Sequence, residues 1–188
     1  MALPAKILFI DDTYLRKNTA VNDAVDAELI RVAIYTAQDM YVQRSLGTDL
    51  YTKLKNEIDA GTLAGVYLTL IQNYVMPVTL WFTMVELYPM LFVKHDNGGL
   101  HHRTSEDTTN IETNTYHALR DDARNKAEFY DKRLRDYLCI NSASYPEYST
   151  NQPPDISPNH GDYQSNTAFG YAARRQPGTI DPIYDPTR

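Results

Sequence analysis

Residues 74–93 read YVMPVTLWFTMVELYPMLFV, a run of twenty positions carrying one charge, Glu86. That length and polarity are enough for a bilayer crossing. Pro77 and Pro89 interrupt the run, Tyr74, Trp81 and Tyr88 place polar-tipped rings along it, and amphipathic segments flank it on both sides. We therefore read a central helix buried on most sides, with no membrane partner. Such a helix needs neighbours that each offer one apolar stripe.

The chain supplies them. Upstream, Val25, Leu29, Val32, Ala33, Ala37, Met40 and Tyr41 recur at spacings of three and four. This first helix is expected to start at Asn22 or Asp23 as N-cap and to stop at Gly47, a suitable C′ residue. Thr48 is expected to cap a second, shorter helix with Leu50, Leu54 and Ile58 on one face, ending at Gly61. Leu63, Val66, Tyr67, Leu70, Ile71 and Tyr74 form a third stripe leading to Pro77, which either kinks that helix or opens a new one. Pro89 is expected to bend or end the central helix.

Downstream, Asn97-Gly98-Gly99 is a strong turn signal. A hairpin pairing residues 91–95 with 100–104 is one reading and a plain loop the other. From Glu112 the helical period returns through Tyr116, Leu119, Ala123, Ala127, Tyr130, Leu134, Tyr137 and Leu138. The charged residues between them carry both signs, which suits a solvated or subunit-facing surface. The fold class is thus mainly α: a bundle of four to five helices with long extended arms at both ends. Residues 1–21 read as an N-terminal arm, 22–139 as the helical body and 140–188 as an extended C-terminal docking arm.

The C-terminal arm has its own composition. It holds seven of the ten prolines and five of the fifteen tyrosines, without helical or strand period. A segment of this kind cannot bury enough apolar surface to offset its own ordering entropy. It is either a solvated tail or an arm held by something outside its own fold. Tyr145, Tyr148, Tyr163, Phe169, Tyr171 and Tyr184 are single, spaced rings, stiff anchors on an extended chain. Arg174 and Arg175 are its only basic doublet and suit an acidic groove on a neighbouring subunit. All eight are candidate docking-interface residues.

A net charge of −6 over 188 residues argues against a sequence-independent grip on nucleic acid. One cysteine, Cys139, allows no intramolecular disulfide. His95, His101 and His102 cluster near the turn, but lack the spacing of a specific metal motif. No phosphate-cradling loop or nucleophile elbow is present, and Asp11-Asp12 and Asp121-Asp122 are adjacent pairs that point in different directions. No catalytic residue, cofactor or metal is expected.

Four segments, in order, carry a resemblance: Ala37-Gln38-Asp39; Leu46-Gly47-Thr48-Asp49-Leu50-Tyr51; Tyr74-Val75-Met76-Pro77; and Ala127-Glu128-Phe129-Tyr130-Asp131-Lys132-Arg133-Leu134. Together, across residues 7–138, the chain resembles the head-to-tail connector (adaptor, neck-ring) proteins of tailed bacteriophages. The resemblance implies a structural virion protein, assembled in the host bacterial cytoplasm, that forms a homo-oligomeric ring of about twelve copies. Such a ring joins the portal protein to the tail or further neck proteins, and extends a channel through which double-stranded DNA passes without sequence-specific binding. It also implies a C-terminal segment that docks on the portal or a neighbouring subunit. The alternatives are another tail-completion ring protein or a small helical DNA-binding or packaging regulator.

Overall fold

The central helix, α6 (Met76–Phe92), buries Val78, Leu80, Phe82, Met84, Val85 and Leu87 together with Thr79 and Thr83. Both threonines fit an apolar interior because each hydroxyl donates back into its own helix, Thr79 to the Val75 carbonyl (2.8 Å) and Thr83 to that of Thr79 (2.7 Å). The computed structural model describes residues 6–96, 99–102, 113–150 and 156–158.

Helix α5 (Gly65–Leu70) runs into α6 through a π turn, Ile71–Val75, in which the Met76 N–H donates five residues back to Ile71. Proline has no N–H to give and its ring crowds the carbonyl four residues earlier. Widening the ladder immediately before Pro77 accommodates both defects, so the helix passes through Pro77 instead of restarting there. Pro89 likewise lies inside α6, and the helix ends one turn later. By length and composition the combined run, Gly65–Phe92, is long enough to span a membrane. Half of its most apolar window is buried inside the body, where α2 and α7 pack on it.

The first helical run repeats this design. Helix α2 (Ala27–Ala37) passes through a π turn, Gln38–Val42, into α3 (Gln43–Leu46). It begins three to four residues later than the sequence implies. Asp26 is the cap, accepting from the Glu28 N–H at 3.0 Å, while Arg16 donates to the carbonyls of Asn22 and Val25 and holds residues 22–25 as a turn. Gly47 closes the run at φ +78° and leads directly into α4 (Thr48–Asp59); Gly61, at φ +65°, follows its end. Both are left-handed positions that favour glycine.

The N-terminal arm needs correction. Residues 12–18 are not extended but form α1 (Asp12–Asn18), capped by Asp11, whose carboxylate accepts from the Tyr14 N–H at 2.7 Å. Its Leu15 is fully buried in a cluster with Ile10, Ile30, Ile34, Leu80 and Leu87. A second cluster joins Val42, Leu46, Leu50, Leu54, Val75 and Phe82 to Leu134 and Leu138 of α7 (Thr113–Ile140). Ala123 and Ala127 are buried as the periodicity implies, whereas Leu119 is 40% exposed. The hairpin forms: β1 (Val93–Asp96) pairs antiparallel with β2 (Gly99–His102), Asp96 opposite Gly99. Leu91 and Phe92 remain helical, so β1 starts two residues beyond the expected strand.

One partly buried acid ties α7 to α3. The Ser45 hydroxyl donates to the Asp131 carboxylate, and Arg135 Nε lies 3.0 Å from its other oxygen. Desolvation raises the Asp131 carboxyl above its ordinary range, with Ser45 and Arg135 opposing the rise.

Candidate docking site

The chain beyond α7 folds back on its own body. Two 3₁₀ turns, Ser142–Ser144 and Pro146–Tyr148, bring Tyr145 and Tyr148 into the interior, where both are almost completely buried. The Tyr145 hydroxyl donates to the Val66 carbonyl (3.0 Å) and lies 3.0 Å from the Tyr137 hydroxyl. Its ring meets Tyr67 edge-on with centroids 5.6 Å apart, and Tyr137 in turn stacks on Tyr74 at 4.0 Å. Tyr148 packs beside Cys139, its hydroxyl 3.9 Å from the sulfur. Burial pushes both tyrosine hydroxyls up strongly.

Four further bonds fasten this strap. The Tyr67 hydroxyl donates to Glu147 (2.8 Å), and the Thr150 hydroxyl to Asp49 (3.2 Å). The Ile156 N–H donates to Thr48 Oγ1 at 3.1 Å, while the Thr48 N–H donates to the Ile156 carbonyl at 3.0 Å. That pairing satisfies an N–H of the first turn of α4, which has no partner within its helix. Tyr145 and Tyr148, expected to anchor on a neighbouring subunit, are thus core residues of their own chain. The other candidate residues, Tyr163, Phe169, Tyr171, Arg174, Arg175 and Tyr184, lie outside the described residues.

Tyr67 gives the strap a pH dependence. Desolvation first, then its bond to Glu147, push its hydroxyl from 10.0 up to about 12. A group whose folded value is raised contributes stability that is complete below its unfolded value and lost as pH rises through the folded one. We expect the unfolding temperature to fall between about pH 10 and pH 12. Tyr67→Phe should flatten that decline in a thermal melt series; an unchanged slope would remove Tyr67 as its source.

A second polar contact holds the N-terminal segment. Gln38, fully buried in the first π turn, accepts from the Phe9 N–H at 2.9 Å and donates to the Ile7 carbonyl at 3.0 Å. Its amide nitrogen also lies 3.2 Å from the Tyr51 hydroxyl, which donates to Asp39 at 2.6 Å. A side-chain amide therefore replaces the strand partner that the apolar patch around Phe9 could have taken. The only signal in the sequence is an uncharged polar residue placed within an apolar stripe.

The hairpin register sets His101 opposite Lys94 and His102 opposite Val93, so no two of the three histidines pair directly across it. Among the described residues no group of three or more His, Cys, Asp or Glu gathers as a metal site. A cleft of about 380 Å³ lies between residues 19–22 and Val25, Trp81, Met84 and Tyr88 of α6, and Asp122 and Lys126 of α7. Lys126 closes one wall, with Nζ 4.5 Å from the centre of the Trp81 ring and 2.6 Å from Asp122.

These features define a mainly α bundle with its C-terminal strap folded onto the N-terminal end of α4. A family model described as a family of unknown function (DUF6712) matches residues 42–157, and the chain belongs to that family. The match begins at the last residue of the first π turn and ends at Ser157, so it takes in α3 to α7 and the strap but neither α1 nor α2. No curated protein and no solved structure matches the chain.

Proposed function

We propose that the protein is a structural component of a bacteriophage neck: a ring-forming adaptor that joins the portal to the tail or to the next neck component. The observation carrying this reading is the strap. Tyr145, Tyr148 and the Thr48–Ile156 pairing fix Ile156 on the body, two residues before the described chain ends at Pro158. An arm that starts from a defined point on a rigid body loses less freedom on docking than one that starts from a loose end. The resemblance supports the same reading; its segments lie at the start of the first π turn, the junction of α3 with α4, the turn before Pro77 and the middle of α7. In this role the aromatic residues Tyr163, Phe169, Tyr171 and Tyr184, with Arg174 and Arg175, seat on a portal or a neighbouring subunit.

The test is to mix the purified protein with a portal of the same phage and to measure particle mass and negative-stain images. Ring-shaped particles capping the portal are expected. A protein that stays monomeric and never joins the portal overturns the reading.

A further inference from the structure

The cleft beside Trp81 has an apolar floor. Val21 and Val25, from the turn before α2, and Trp81, Met84, Tyr88 and Leu91 of α6 line it. All of these but Met84 are only half-buried. The charged residues lining it are Asp122 and Lys126, which pair with each other at 2.6 Å, and the Lys126 ammonium also lies over the Trp81 ring. An occupant therefore meets no unpaired charge. A floor of two aromatic rings and a thioether suits an uncharged aromatic side chain.

The chain carries such a group beyond the described residues. Pro158 is buried, two residues after the Thr48–Ile156 pairing, and residues 159–188 follow it. Of the rings in that segment, His160, Tyr163, Tyr171 and Tyr184 each have a polar atom to leave in water. Phe169 has none and gains most from burial, and its neighbours Ala168 and Gly170 add little bulk at a cleft mouth. Ile180 and Ile183 are also wholly apolar, but their tethers are about twice as long, which lowers their effective concentration at any one site.

The tether is long enough. Phe169 is eleven residues beyond Pro158, a reach of up to about 36 Å, whereas the seventeen residues of α6 span about 26 Å. The departure point is also close to the cleft. Leu46 and Leu50, on either side of Thr48, share a core cluster with Phe82, and Trp81 packs against that same cluster.

We propose that Phe169 docks in the Trp81 cleft of its own chain, which parks the arm on the body until a partner surface competes for it. The occupant is the chain's own ring and not a neighbour's, because a tether of this length holds it at an effective concentration on the order of 1 mM. The inference goes beyond the neck reading, and its test needs no partner protein.

Trp81 is the only tryptophan, so its fluorescence reports on the cleft alone. In full-length Phe169→Ala, quenching of Trp81 by acrylamide should be about twofold stronger than in the parent, because the tether keeps the parent's cleft occupied for much of the time. Tyr163→Ala and Tyr184→Ala should quench like the parent. All three variants should keep the parent far-UV circular dichroism, since residues 22–140 are untouched. In the parent, the protection should stay constant across a roughly hundredfold dilution. Unchanged quenching in Phe169→Ala overturns the docking, as does a tyrosine variant that exposes Trp81 to the same degree. Protection lost on dilution overturns the own-chain assignment and gives the cleft to a neighbour's arm.

Discussion

Truncating the chain after Cys139 is expected to lower its unfolding temperature by about 10 °C or more, whereas truncation after Pro158 is expected to leave it nearly unchanged. The difference lies in Tyr145 and Tyr148, both essentially inaccessible to solvent inside the cluster formed by α4, α5 and α7. Deleting one buried aromatic side chain costs about 3–5 kcal/mol, and neighbouring losses are not additive, so on the order of 5 kcal/mol is a conservative figure for both. The shorter truncation product also frees the Val66 carbonyl and the Tyr67 hydroxyl, which the strap now satisfies. Thermal melts followed by circular dichroism separate the cases. Equal melting temperatures for the two truncations would show that the strap is not part of the folded core.

The second large effect is expected at Gln38. Gln38→Leu preserves bulk while removing the group that satisfies the Phe9 N–H and the Ile7 carbonyl. An unsatisfied buried polar group costs about 1–3 kcal/mol, and two backbone groups and the Tyr51 hydroxyl are affected, so a loss of about 2–5 kcal/mol is expected. The N-terminal segment should respond first. Amide hydrogen exchange at residues 7–10 should accelerate by more than tenfold, since about 1.4 kcal/mol of local stability corresponds to a factor of ten. An unchanged melt together with unchanged exchange would mean that Phe9, edge-on to Tyr51 with centroids 5.4 Å apart, holds the segment by packing alone.

The helical body was legible because its signals are local. Gly47 and Gly61 stop their helices as the turn chemistry implies, and the stripe through Ala123, Ala127 and Leu134 is a matter of spacing alone. The strap was not legible, for a physical reason. Its segment has no period of its own, and the surface that receives it comes from Val66, Tyr67, Tyr137 and Cys139, which no composition window places together. The start of α2 failed differently. Asn22, Asp23 and Asp26 are all competent caps, and the choice among them is made by Arg16, a residue of the preceding helix. Gln38 was hidden because a buried amide follows from the shape of the site around it, not from the pattern of its own helix.

The two π turns have a consequence for how this chain can vary in length. A π turn holds one residue more than an α-helical turn, so each absorbs an extra residue that a regular helix would carry as a phase shift of about 100° between the helix before it and the helix after it. Deleting one residue within Gln38–Val42 or Ile71–Val75 would restore regular helix and leave the residues downstream facing the neighbours they face now. A deletion in the middle of α6 has no such slack, and would swing Phe82 away from Leu134 or Met84 away from Ile30. Relatives that share this body are therefore expected to vary by one residue at either π turn, as well as in the hairpin and beyond Pro158, and to keep a constant count within the regular helices.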